Sequence, residues 1–220
     1  MKKLVIFVIS LVLLFSLCSC KTDGGLTPFV SELRSDVFVG EGQSLSLKAG
    51  YGFKETPFIT DGKTSNKTYA LTFKLLGVND QNVAYSLTAN LNGRDYNANF
   101  TFNPVSHSLT TIVEIEDFKE KEFAVTVRSA NTVEQITLKS ILPENTIDYK
   151  SALSHVKSSQ SALVKSYTDT DGNLTAELHV RVLVKDGHPY WYVGFAKDND
   201  LKALLVDGLS GEILAVREIF

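Results

Sequence analysis

The chain has almost no cysteine. Its two cysteines, Cys18 and Cys20, lie within the first twenty of 220 residues. The sequence after Cys20 therefore contains no thiol, which excludes a disulfide framework, a Cys-ligated zinc site and a cysteine nucleophile there. Such a body must be stable through its core alone. With 44% hydrophobic and 10% aromatic residues, the chain can form one or two globular domains.

An excess of basic residues is also absent. The chain has 22 basic and 25 acidic residues, a formal charge of −3. Without Lys2 and Lys3, 20 basic residues remain against 25 acidic ones, and the charge becomes −5. This mild acidic balance argues against nucleic acid as a partner and against a basic patch that holds the body on anionic lipid.

The amino-terminal segment has the pattern of an export signal. A short cationic start precedes an apolar stretch from Leu4 to Leu17, which is too short for a comfortable membrane span. Leu17-Cys18-Ser19-Cys20 resembles the lipobox of bacterial lipoproteins, with an aliphatic residue three positions before the last cysteine and a small residue directly before it. The resemblance implies a signal peptide over residues 1–19 and acyl chains, such as palmitate, on Cys20. The alternatives are a plain secretory signal and a retained anchor helix.

The resemblance further implies an extracytoplasmic protein that is lipid-anchored to the bacterial cell membrane. Residues 20–28 are expected to form a flexible tether, because Lys21 to Gly25 is polar and ends in paired glycines. Lys21 offers no acidic retention signal, so the sequence leaves open which membrane of a double-membrane cell holds the protein.

Residues 29–142 show a hydrophobic period of two. About seven short strands, beginning near Leu45, follow one another at roughly twelve-residue spacing, as is typical of an antiparallel sandwich. Asn92-Gly93 is a strong hairpin signal between two of them. The sequence therefore predicts a mainly β protein with an amino-terminal antiparallel β-sandwich of Ig-like architecture, although the Cys-Trp-Cys hallmark of true immunoglobulin domains is absent.

Residues 143–220 have a different organisation. Pro143 ends the β pattern, and Thr146 is expected to cap one helix whose apolar residues are Tyr149, Ala152, Leu153 and Val156. Leu163-Val164 is expected to begin a β segment, and alternating strands follow from Leu174 to the carboxyl end, with Asp186-Gly187 as a turn. The sequence thus predicts a small α+β module of one helix on a four-stranded antiparallel sheet.

This last module resembles the PepSY family of bacterial envelope domains. Pro189-Tyr190-Trp191-Tyr192-Val193 is similar to the family's Y-x-V strand, and the segment from Leu205 to Leu214 is similar to its V-D-A-x-T-G-E-V-L ending, with Gly208 and Ser210 in place of the usual Ala and Thr. The resemblance covers only the last third of the chain. It implies an extracytoplasmic, non-enzymatic domain of a kind proposed to bind or restrain peptidases, and it carries no catalytic residue.

Motifs for catalysis and metal binding are incomplete. The four histidines show no metal-ligand spacing, and H-E-x-x-H is absent. Ser154-His155-Val156-Lys157 matches S-x-x-K without its partner motifs. Asp169 to Asn173 begins like a calcium loop but is flanked by strand patterns, so a hairpin turn is favoured. The sequence therefore predicts no enzyme activity, no cofactor and no metal.

The densest aromatic cluster is Tyr190-Trp191-Tyr192. Strand alternation sends Trp191 to one face and both tyrosines to the other, where His179 and Arg181 of the preceding strand are also expected. An ordinary core plus a cross-strand ladder is the favoured interpretation. Tyr190, Tyr192, His179 and Arg181 are nevertheless the candidate binding surface.

Two functions are consistent with these observations. The first is a membrane-anchored, non-catalytic interaction module that binds an envelope protein, with restraint of an envelope peptidase as one form of this binding. The alternative is an envelope hydrolase that acts on peptide or glycan. The incomplete catalytic motifs favour the first.

Overall fold

A computed structural model describes residues 25–56, 65–78 and 83–219. Cys20, the predicted signal over residues 1–19 and most of the predicted tether over residues 20–28 lie outside the described residues.

Strands dominate the described part of the chain. A 3-10 turn at Thr27–Phe29 precedes them, and the helices are α1 (Tyr149–Ser159) and α2 (Ser161–Ser166). The strands are β1 (Val30–Glu41), β2 (Ser46–Glu55), β3 (Lys67–Leu76), β4 (Ser86–Leu91), β5 (Arg94–Asn99), β6 (Thr101–Asn103), β7 (Ser108–Glu114), β8 (Glu122–Arg128), β9 (Val133–Ser140), β10 (Glu177–Lys185), β11 (His188–Lys197), β12 (Asp200–Asp207) and β13 (Ile213–Ile219).

All thirteen strands belong to one curled sheet. Its main path runs β13-β12-β11-β10-β1-β2-β3-β7-β6, and a branch of β9, β8, β4 and β5 leaves from β1. The mainly β class and the antiparallel pairing are confirmed. The continuous, half-barrel-like sheet differs from the two facing sheets that an Ig-like sandwich would have. Its continuity depends on β1, which joins the two parts.

Strand β1 changes its partner along its length. Its edge opposite β2 pairs in parallel with β10 through residues 30–34, and then antiparallel with β9 at Phe38 and Val39. The register with β2 shifts between Arg34 and Asp36, which marks a β-bulge at the changeover. The bulge interrupts the alternation of apolar residues, which explains why the sequence pattern indicated strands only from Leu45 onward.

The larger core lies inside the curled sheet. It is rich in aromatic residues: the rings of Phe38 and Phe123 meet edge to face with centroids 5.2 Å apart, and Phe118 packs on Phe123 at 5.1 Å. Apolar residues of β2, β3, β4, β7, β8 and β9 complete this core. Most of the period-two apolar residues of the sequence are therefore buried, whereas Phe102 is 44% exposed.

A second core lies between the helices and strands β10 to β13. The predicted apolar helix residues Ala152, Leu153 and Val156 are buried there, and Val30 and Leu33 of β1 join them. The helix cap is Asp148 and not Thr146, because the Asp148 carboxylate accepts a hydrogen bond of 2.7 Å from the Ser151 amide. Strand β1 thus contributes to both cores.

The carboxyl-terminal part differs from the predicted single helix. Leu163 and Val164, expected to begin a strand, lie in α2. Val164 is buried against the second core, so a short run of apolar residues packs as a helical turn. Such short runs do not distinguish strand from helix by pattern alone.

The two Gly-containing hairpins form as predicted. Asn92 and Gly93 have φ values of 48° and 74°, and Asp186 and Gly187 have 52° and 76°. Positive φ at both central positions is the geometry that Asn-Gly and Asp-Gly favour. Across the described residues, neither helix has the length and apolar character needed to span a membrane.

Candidate functional site

The candidate site lies on the sheet surface opposite the helices, which we call the outer face. It consists of outward-facing residues of β1, β2, β10, β11 and β12. All four residues predicted from the sequence lie there and are half-buried: His179, Arg181, Tyr190 and Tyr192. Trp191 points the opposite way with 2% exposure, and its indole N–H donates to the Ile147 carbonyl at 2.9 Å.

Strand β1 adds two residues to this face that sequence reasoning missed. In the register, Arg34 is paired with Arg181, and Arg181 is paired with Tyr192. Glu32 is paired with His179 in the neighbouring row. The parallel pairing joins segments about 150 residues apart, for which a single sequence carries no local signal.

Glu32 is the carboxylate at the centre of the site. It accepts a hydrogen bond from Arg181 Nε at 2.7 Å, and Lys54 Nζ lies 3.7 Å from its other oxygen. Burial alone would raise the pKa of Glu32, but the hydrogen bond and charge of Arg181, with smaller effects of Lys54 and His179, lower it below its usual value. Glu32 is therefore ionised at neutral pH and already engaged by Arg181.

Arg34 has no such partner. Its Nε is buried, and its guanidinium makes no hydrogen bond or ion pair with any residue that the structure describes. Burial lowers the pKa of Arg34, and the positive charge of Arg181 lowers it further, while Glu32 partly offsets both effects. Arg34 and Arg181 thus occupy paired positions on β1 and β10, and the half-buried Glu32 carboxylate bonds Arg181.

Small residues form the floor on either side of these arginines. A Cβ on Gly50 would lie 2.7 Å from Cδ of Arg34, so the Arg34 side chain lies directly across this glycine. On the other side, a Cβ on Gly194 would lie 2.7 Å from the Tyr192 hydroxyl oxygen. Absence of side chains at these positions lets Arg34 and Tyr192 lie flat on the sheet.

Tyr192 borders the arginines on the β11 side. The guanidinium carbon of Arg181 is 6.0 Å from the centre of its ring, at the outer limit of a cation–π contact. Burial raises the pKa of Tyr192, and the charge of Arg181 opposes that rise. Its hydroxyl is therefore protonated at neutral pH and able to donate a hydrogen bond.

Tyr190 belongs to a separate, structural group. The rings of Tyr190 and His188 are 4.7 Å apart, and His188 Nε2 lies 2.7 Å from Asp207 Oδ2. Asp207 also accepts from the backbone amides of Ser210 and Leu209 at 2.8 and 2.9 Å, and these bonds, with His188, lower its pKa to about 2. This group secures the turn between β12 and β13.

His179 lies on β10 two residues before Arg181 and is paired with Glu32 of β1. Its Nε2 is 3.1 Å from Glu177 Oε2 of the same strand.

The other motifs do not converge. Ser154 of the S-x-x-K match is exposed on α1, and Asp169 accepts hydrogen bonds from the amides of Asp171 and Asn173, as in a turn. Within the described ranges, no three His, Cys, Asp or Glu residues lie close enough together to hold a metal ion.

A second concavity of about 490 Å³ lies on the outside of β4, β5 and β8. Hydroxyl and carboxamide side chains line it, including Thr88, Asn97, Thr126 and Gln135. It holds no close charge pair comparable to that of the outer face.

Comparisons of the chain with protein families, with curated proteins and with solved structures find no match. The resemblance to PepSY domains therefore rests on residues 189–193 and 205–214 of this chain.

Proposed function

We propose that the protein is a lipid-anchored, extracytoplasmic binding module without catalytic activity, which holds another envelope protein on its outer face. The lipobox-like sequence supports the extracytoplasmic, membrane-anchored localisation, with Cys20 as the lipidated residue. The arrangement of charges on the outer face supports the binding role.

The binding role rests on the guanidinium of Arg34, which makes no hydrogen bond or ion pair with the described residues. An isolated protein rarely retains a partly buried charge without a partner, because desolvation of a charge is costly. The Glu32 carboxylate is already bonded to Arg181, so the side chain of Arg34 is available for a group outside this chain. A complementary group on a bound partner would complete this site.

The proposal includes two modules that act together. Residues 29–142 form an Ig-like framework, and residues 143–220 form a PepSY-like module, in which β10 and β11 present the binding residues. The second core supports this division in that most of its residues come from 143–220, with Val30, Leu33 and Phe53 of the first part joining them. Restraint of an envelope peptidase is one form that such binding would take.

The binding role is tested by site-specific photo-crosslinking in envelopes of the native cells. The full chain carries p-benzoylphenylalanine in place of Tyr190 on the outer face, or in place of Phe102, an aromatic residue of β6 that is 44% exposed. A discrete crosslinked species from position 190 and none from position 102 is the expected result. Equal labelling from both positions, or hydrolysis of envelope peptide or glycan abolished by one point mutation, would contradict the proposal.

Lipid anchoring is tested separately, by fractionation of cells that carry a cysteine variant. Cys20→Ser removes the sulfur that would carry the lipid, so the protein should move from the membrane fraction to the soluble extracytoplasmic fraction. Cys18→Ser is the matched control and should stay with the membrane. Retention of the Cys20→Ser protein in washed membranes would refute lipid anchoring.

A further inference from the structure

We infer that the Arg34–Arg181 pair is a receptor site for a single carboxylate group carried by a peptide segment of the bound partner. The inference rests on the proposed binding function and names the chemistry that the outer face recognises.

The charge balance of the site sets the valence of the ligand. Arg34 and Arg181 carry two positive charges, and Glu32 supplies one negative charge. Lys54 is 62% exposed and 3.7 Å from Glu32, so its charge is largely neutralised by solvent and salt. Glu177 on the same face is engaged by His179 Nε2 at 3.1 Å. Among Arg34, Arg181 and Glu32, one positive charge therefore remains, and a monoanion balances it. A phosphate dianion would leave an excess of negative charge beside Glu32.

The donors available at the site match a carboxylate in number. Arg181 uses Nε for Glu32, and neither arginine has another hydrogen-bond partner among the described residues for its terminal nitrogens. Guanidinium groups bind carboxylates through pairs of N–H donors, and such charge-assisted bonds are about twice as strong as neutral ones. Because Arg34 and Arg181 are paired across β1 and β10, we place one carboxylate between them, with one oxygen on each guanidinium group.

The floor of the site keeps two of its side chains low on the sheet. Gly50 and Gly194 have no side chains, and the Arg34 and Tyr192 side chains lie across them, so a ligand would approach over these two side chains. The Tyr192 ring provides an apolar wall beside Arg181. An extended peptide end or an acidic side chain fits this shape.

The test is a titration of the full chain in detergent micelles, observed through the Nε–Hε NMR signals of its arginines. The probes are N-acetyl-glycylglycine, which has a terminal carboxylate, and N-acetylaspartate amide, which has a side-chain carboxylate. The amide of the first probe and inorganic phosphate complete the series. Saturable shifts of the Arg34 and Arg181 signals with either carboxylate, and none with the neutral amide, are expected. The carboxylate probe that binds more tightly shows whether the site prefers a terminal or a side-chain carboxylate.

Three variants make the result specific. Arg34→Gln should weaken carboxylate binding about tenfold or more, because one charge-assisted partner is lost. Gly50→Ala keeps every charge but displaces the Arg34 side chain, and it should weaken binding severalfold. Arg128→Gln makes the same change of charge on β8, away from the site, and should leave binding unchanged.

The inference is overturned if neither carboxylate shifts the arginine signals, if phosphate binds as tightly as the carboxylates, or if Arg34→Gln binds like the unmodified protein. In each of these cases, crosslinking from position 190 shows separately whether the outer face still holds a partner. If the protein binds carboxylates but gives no crosslink from position 190, the proposed function is wrong and the carboxylate site still stands.

Discussion

Replacement of Asp36 by alanine should destabilise the whole protein by about 3 kcal/mol. Asp36 is 6% exposed and lies in the bulge where β1 leaves β10 and turns to β9. Its carboxylate accepts hydrogen bonds from Ser140 Oγ of β9 at 2.6 Å, from the Val37 amide at 2.8 Å and from Lys121 Nζ at 2.5 Å. One buried side chain therefore connects three segments of the sheet.

The magnitude follows from the exposure of each partner. Hydrogen bonds to a charged group contribute about 1.5 to 3 kcal/mol each when both partners are buried. The Lys121 side chain is 71% exposed, so its ion pair is solvent-screened and contributes about 0 to 1 kcal/mol. Most of the loss comes from Ser140 and Val37, whose donors would lose their acceptor. Asp36→Asn keeps an acceptor for both and should cost only about 1 to 2 kcal/mol.

Urea unfolding of the purified protein measures this loss. The fluorescence of Trp191, the only tryptophan, reports the second core, and far-UV circular dichroism reports the sheet. With a slope of about 2 kcal/mol per molar urea, Asp36→Ala should lower the midpoint by about 1 to 2 M. Both signals should move together because β1 belongs to both cores.

Glu122→Ala is the matched control. Glu122 lies 3.1 Å from Lys139, and both side chains are more than half exposed. This ion pair joins β8 to β9, the strand that Asp36 also contacts, but its loss should change stability by less than about 1 kcal/mol. If Asp36→Ala proves no more destabilising than Glu122→Ala, the argument that Asp36 holds the changeover of β1 is wrong.

Two further predictions concern turns. Because the pKa of Asp207 is lowered to about 2 from 3.8, its ionised form stabilises the folded protein above pH 3.8, and this contribution is lost as the pH falls towards 2. Asp207→Asn should therefore reduce the free energy of unfolding by about 1 to 2 kcal/mol at pH 6 and by much less at pH 2. Urea unfolding at the two pH values measures this difference. An equal loss at both would contradict the stabilising role of the ionised Asp207 carboxylate. Gly93→Ala should destabilise the protein by about 1 kcal/mol, because Gly93 has a φ of +74°, which is unfavourable for alanine even though nothing lies near the added Cβ. Gly25→Ala is the control and should cost little, because Gly25 has no positive φ. Equal midpoints of the two variants in thermal unfolding would refute this argument.

The local parts of the fold were predictable from the sequence. Asn92-Gly93 and Asp186-Gly187 fixed two hairpins because few other residue pairs adopt positive φ twice in succession. Alternation placed Trp191 in the core and the adjacent tyrosines on the outer face, because side chains of a strand alternate regardless of what surrounds them.

The remaining features depend on contacts between distant segments. The bulge between Arg34 and Asp36 interrupts the apolar alternation of β1. The parallel pairing of β1 with β10 involves no short turn, so the sequence contains no local signal for it. Arg34 consequently could not be assigned to the candidate site, although Arg181 could. Helix α2 was missed because six residues are too few to establish a helical period.

The position of β1 has a mechanical consequence. Tension transmitted through the amino-terminal end of the chain would reach this strand first, at Val30. Strand β1 is hydrogen-bonded along both of its edges, to β2 on one side and to β10 and then β9 on the other. A pull along its axis would load these hydrogen bonds in shear, many at a time, rather than peel them apart singly. The first strand of the fold is thus also the one best placed to resist such a pull.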